Sequence, residues 1–176
     1  MFLFQKSILL SVVLFSQAFP QWEAGGTFNY KSESPEIGFG ITAARNLPFQ
    51  WPVIGFKVRA GFDLFKGEES VNGDNSKVSF SNEVLHADLI GTLFFRNFSP
   101  YFGLTLGVGH FSINHLNEYR FLIGILGGIK FPVTNRLQPM LEIDLYNFLG
   151  EFDEEKSGRK ISNIHLIGRI GLIIKI

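Results

Sequence analysis

The stretch VIGFKVRAGFDLF, residues 53 to 65, alternates almost without a break. Ile54, Phe56, Val58, Ala60, Phe62 and Leu64 fall on one parity, and Gly55, Lys57, Arg59, Gly61 and Asp63 on the other. That is the two-residue period of a β-strand with one apolar and one polar face. The same rhythm recurs in QWEAGGTFNY, EIGFGITAA, EVLHADLIGTLFF, YFGLTLGVGHFSI, FLIGILGGIKF, LQPMLEIDLYNF and NIHLIGRIGLIIKI. Eight such segments, with no helical period of useful length between them, define an all-β chain. Val78 and Phe80 conflict in parity with the segment that follows, which predicts a bulge or strand start near Glu83.

The connections alternate in kind. RNLPFQWP, RNFSP and PVTNR are short or Pro-rich, whereas KGEESVNGDNSK and GEFDEEKSGRK are longer and charged. An up-and-down meander places the first set at one end and the second at the other. Short turns opposite long polar loops are the pattern of an outer-membrane barrel.

The N-terminus fits export. MFLFQK carries one Lys, SILLSVVLF is an apolar run too short to span a bilayer, and Ser16 and Ala18 occupy small-residue positions before a cut. This predicts a signal peptide over residues 1–18 and a barrel domain over 19–176. The chain has no cysteine, so disulfides, thiol catalysis and a lipidated N-terminal Cys are excluded. Sixteen Lys and Arg against sixteen Asp and Glu give no electrostatic ground for a nucleic-acid partner. Phe at 20, Gly at 19 and only 18% charged residues suit a turn-rich β-protein with a lipid-facing surface.

Which parity faces outward decides the class. With the large apolar parity outward, the inward parity collects Glu23, Asp63, Asp88, Glu142 and Asp144 together with Lys57, Arg59, Lys130, Arg169 and Lys175. Five acids face five bases, as a narrow interior of paired ions demands. Inward glycines at 25, 38, 40, 55, 61, 103, 107, 109, 124 and 128 offset the long side chains, since eight strands leave an interior just wide enough for them. Aromatic girdles are predicted from Trp51, Phe95, Phe98, Tyr101 and Phe131 at the short-turn end, and from Tyr30, Phe62, Phe121, Tyr146 and Phe148 at the other. A soluble periplasmic lipocalin-like carrier would instead turn the apolar parity inward around a ligand.

FSPYFGLTLGVGHF and GILGGIKFPVTNRLQPMLEIDLYNF resemble strands five to seven of small bacterial outer-membrane β-barrel proteins, the group of OmpX and the membrane domain of OmpA. The cues are a Pro-Tyr strand start, inward glycines, a turn after Phe-Pro and a strand with inward Glu. The resemblance implies an eight-stranded antiparallel up-and-down transmembrane β-barrel with both termini in the periplasm. Such barrels commonly end in an aromatic residue; Ile176 departs from this.

Chemistry-bearing pairs are few. His86 with Asp88, and Glu142 with Asp144, each share a strand face, and read as interior ion partners, as does the polar His165. No metal or cofactor site is predicted. GHFSINH is the sharper signal: His110 and Ser112 share an outward face near the long-loop end. This resembles lipid A deacylases of the PagL type, which use a His-x-Ser pair on the outer wall as base and nucleophile. In that family Asn follows the Ser directly; here Ile113 intervenes before Asn114, no acid stands at an obvious place to orient His110, and Glu118 reads as a loop residue. The expectation is a monomeric, non-catalytic outer-membrane protein surrounded by lipid. Its interactions with an extracellular ligand or surface would run through loops at 66–77, 114–119 and 150–160.

Overall fold

The computed structural model describes residues 22–32, 36–51, 53–70, 77–113, 116–150 and 163–176. The predicted signal segment and the greater part of the long loops lie outside the described residues. Eight strands follow in order: β1 Trp22–Lys31, β2 Glu36–Gln50, β3 Ile54–Ser70, β4 Lys77–Leu93, β5 Ser99–Ile113, β6 Leu116–Lys130, β7 Leu137–Phe148 and β8 Ile164–Lys175. Each pairs antiparallel with the next, and β8 pairs with β1 to close a barrel. Closure removes both sheet edges, the liability of any open sheet.

The register fixes the shape. A path leaving Glu23 runs through Ala44, Arg59, Asp88, Thr105, Gly124 and Tyr146 to His165. Glu23 itself pairs with Lys175, so the path closes ten residues away (175 − 165). That stagger tilts the strands and leaves a lumen that side chains fill.

Several strands run further than their alternation alone indicates. β2 extends to Gln50 through residues read as a turn, accommodating Pro48 where its register shifts between Asn46 and Gln50. Neither the bulge nor the strand start expected near Glu83 is present: β4 begins at Lys77, and the β3–β4 pairing runs unbroken from Ile54↔Leu93 to Ser70↔Lys77. β3 reaches Ser70 and β6 begins at Leu116, so Lys66 and Glu118 belong to strands and not to the predicted loops.

Short turns gather at one end. Trp51 and Ile54 exchange backbone hydrogen bonds of 2.8 and 3.2 Å, and Phe95 N–H donates to Phe98 C=O. In the third turn the Thr134 hydroxyl accepts from the backbone of Arg136 and Leu137, a turn closed by its own side chain.

Candidate functional site

The outer wall is apolar. Phe39, Ile41, Phe102, Leu104, Leu106, Phe121, Ile125, Ile143 and Ile170 are all more than half exposed. The other parity points into the lumen and is buried. A lipocalin-like arrangement is therefore reversed here: the oily face is outside.

The girdle readings divide. Trp51, Phe95, Phe98 and Phe131 are exposed at the short-turn end, and Tyr30, Phe62 and Phe121 toward the other. Tyr101, Tyr146 and Phe148 are buried inside instead. Each sits on the inward parity of its strand, which overrides any preference of an aromatic ring for an interface. Phe148 joins Phe65, Val84, Phe111, Leu122, Tyr146 and Ile167 in an apolar cluster that fills the loop end of the lumen.

Beneath this cluster lie the ions. Arg59 donates to Asp88 (2.6 Å) and spans the lumen to Glu142 through two bonds of 2.7 and 3.0 Å. Arg169 grips Asp63 with two bonds of 2.6 and 2.8 Å, pairs with Asp144 and donates to the Tyr146 hydroxyl. Thr105 and Asn29 hydroxyl and amide groups donate to Asp88 and Asp63, each at 2.8 Å. Toward the short turns, Lys57 and Lys130 share one oxygen of Glu23 at 2.6 and 3.1 Å, and Lys130 lies 5.1 Å from the Tyr101 ring centre.

Nine of the ten residues assigned to the interior from sequence thus lie buried in this network. Lys175 does not: it is half-exposed at the end of β8, where its backbone N–H donates to Arg136. Sequence reading missed Lys31 and Glu36, which are buried and paired at 2.8 Å, with Asn82 donating to the other Glu36 oxygen. Their parity carried the signal, but both stand at strand ends, where alternation gives least guidance. The tally changes accordingly. Among the described residues six buried carboxylates face five buried Lys and Arg.

His110 and Ser112 lie on the outer wall near the loop end, both half-exposed. Contrary to the sequence reading, an acid does stand beside His110. Glu83 of β4 is its direct cross-strand partner, with Oε2 3.6 Å from Nδ1. On the other side the imidazole stacks on Tyr119, centroids 4.5 Å apart. Glu118 is turned elsewhere, paired with Arg120 at 2.6 Å. Ser112 is level with Ser81 and Asn117, and among the described residues no hydrogen bond joins it to His110.

No family model matches the chain, and no curated protein matches it by sequence. Solved structures do match. Neisserial surface protein A is 15% identical over 89% of this chain and 94% of its own, with a TM-score of 0.52. A major outer-membrane protein from Thermus thermophilus is 11% identical over 89% and 99%, with a TM-score of 0.61. This chain has the fold of the small bacterial outer-membrane barrels. The outer-membrane enzyme PagL shares that fold, at 13% identity over 88% of this chain and 98% of its own, with a TM-score of 0.50. At these identities the likeness is one of architecture, and the site must speak for itself.

Proposed function

We propose that the protein is an integral outer-membrane barrel that presents its long loops at the cell surface as a structural or interaction scaffold, with a sealed, non-conducting interior. The observation that carries this reading is the inversion of the wall: apolar side chains outside, paired ions inside. In water such a wall would expose a continuous apolar belt far larger than a soluble monomer tolerates. In a bilayer the same belt is solvated by lipid, and the closed ladder pairs each strand's backbone with both neighbours. The interior supports the absence of a pore, because an apolar cluster and two ionic tiers occupy its length. The N-terminal apolar segment fits export. Membrane fractionation tests the reading: the protein should sediment with outer membranes and resist alkaline extraction. Recovery as a soluble periplasmic monomer would overturn it.

A second reading is favoured by one observation, the Glu83 carboxylate at His110 Nδ1. An acid on Nδ1 leaves Nε2 to take a proton from a neighbouring hydroxyl, as hydrolytic triads require. Ser112 is two residues along the same face, within geometric reach of such a base after a side-chain rotation. The substrate would be a lipid acyl ester at the membrane boundary, cleaved through an acyl-enzyme at Ser112. The missing Ser112–His110 hydrogen bond places this reading second.

A further inference from the structure

His86 occupies an unusual place in the interior. Its register neighbours on both sides are glycines, Gly61 on β3 and Gly107 on β5. A Cβ at Gly61 would collide with the imidazole, and one at Gly107 would press on the His86 Cα and Cβ. The missing side chains leave the ring room to lie across the wall. Its two nitrogens then face two different carboxylates. Nδ1 is 3.0 Å from Asp88 Oδ1, and Nε2 is 3.3 Å from Asp63 Oδ2, close enough for an ion pair though off the line of a hydrogen bond.

A neutral imidazole donates from one nitrogen and offers a lone pair at the other. Here either tautomer would aim a lone pair at a buried carboxylate. The surroundings sharpen the conflict. The groups around His86 are Asp63 and Arg59 from β3, Asp88 from β4, Thr105 from β5, Tyr146 from β7 and Arg169 from β8, with Asn29 of β1 on Asp63. In this tier two guanidiniums meet four carboxylates: Asp63, Asp88, Glu142 and Asp144. Across the described interior, six carboxylates meet five Lys and Arg.

We propose that His86 is held as an imidazolium that bridges Asp63 and Asp88 and supplies the sixth interior cation. In that form Nδ1–H donates to Asp88 and Nε2–H faces Asp63 as an ion pair, so that six buried cations match six buried carboxylates among the described residues. His86 is then a structural cation with its proton held between two acids. This goes beyond the scaffold reading and does not depend on it.

The test is nitrogen NMR of the full chain refolded in detergent micelles with labelled histidine, the His86 signals assigned from the backbone. At about pH 8 an unperturbed imidazole is neutral. His86 should still show two protonated, equivalent-type ring nitrogens. A neutral tautomer pattern for His86 at that pH would overturn the proposal and place the missing proton on a carboxylate. A second arm uses folded yield in the same micelles. His86→Gln should lower it by removing the cation, and adding Asp88→Asn should restore part of the loss by removing the excess anion. A double variant that folds no better than the single one would also count against the charge-balance argument.

Discussion

Arg59 and Glu142, 83 residues apart in sequence, meet across the lumen through two parallel hydrogen bonds of 2.7 and 3.0 Å. The pair ties β3 to β7, strands that share no ladder. Arg59 also holds Asp88 on the adjacent strand, so one guanidinium joins three strands. The planar fork of Arg suits this use, because its donors are preset for two carboxylates at once.

Replacing Arg59 by Leu strands Asp88 and Glu142 without their main cation. The loss should be about 3 kcal/mol or more, since the remaining charges stay buried. Arg59→Lys keeps the charge but loses the fork, and should fall between Leu and wild type. Urea unfolding of the protein in lipid vesicles measures both. A wild-type midpoint for Arg59→Leu would remove the network from any stabilising role.

One residue earlier, the opposite wall can be tested. Val58 is exposed on the outer face, beside the buried Arg59. Val58→Arg should cost about 2–4 kcal/mol if the site lies near the bilayer midplane. Equal insertion of this variant and wild type into vesicles would mean the apolar belt does not face lipid.

The faces were legible because alternation reports parity directly, and parity assigned Arg59, Asp63, Asp88, Glu142 and Arg169 to one side. What one strand cannot reveal is its partner's register. Glu83 was invisible as a neighbour of His110, since the two are joined only by the β4–β5 pairing. Strand ends were equally hard to read. Beyond the belt, both faces of a strand meet polar surroundings, so Lys66 and Glu118 looked like loop. Tyr101, Tyr146 and Phe148 differ: their aromatic type suits a membrane interface, but their parity places them in the lumen.

Gly61 gives a sharp packing test. A methyl group there would drive into the His86 ring, whereas one at Gly127 meets nothing within 4 Å. Gly61→Ala should destabilise by about 1–3 kcal/mol, the usual cost of overpacking. Gly127→Ala should be nearly neutral. Unfolding midpoints of the two variants, measured side by side, compare inner and outer wall at constant chemistry.

The loop-end cluster predicts the conductance. Phe111 and Phe148 meet edge to face, centroids 4.8 Å apart, and both are buried. Wild type in a planar bilayer should show no discrete channel openings. Phe111→Ala should lose about 3–5 kcal/mol of stability through the cavity it leaves. It should still not conduct, because the Arg169 and Arg59 tiers remain below it. Steady openings from the wild type would contradict the sealed interior.

The outer-wall patch yields the last test. If the Glu83–His110–Ser112 arrangement hydrolyses lipid, Ser112 must attack an acyl ester while His110 accepts its proton and Glu83 steadies the imidazolium that forms. Lipid A from cells expressing wild type, Ser112→Ala, His110→Ala or Glu83→Gln can be compared by mass spectrometry. The scaffold reading expects identical lipid A in all four, because no hydrogen bond joins Ser112 to His110 and the stack on Tyr119 holds the ring in place. Loss of one acyl chain with wild type, abolished by Ser112→Ala and His110→Ala, would make the protein an enzyme. In that case Glu83→Gln should slow the reaction by orders of magnitude without ending it, as expected when only the orienting member of a triad is weakened.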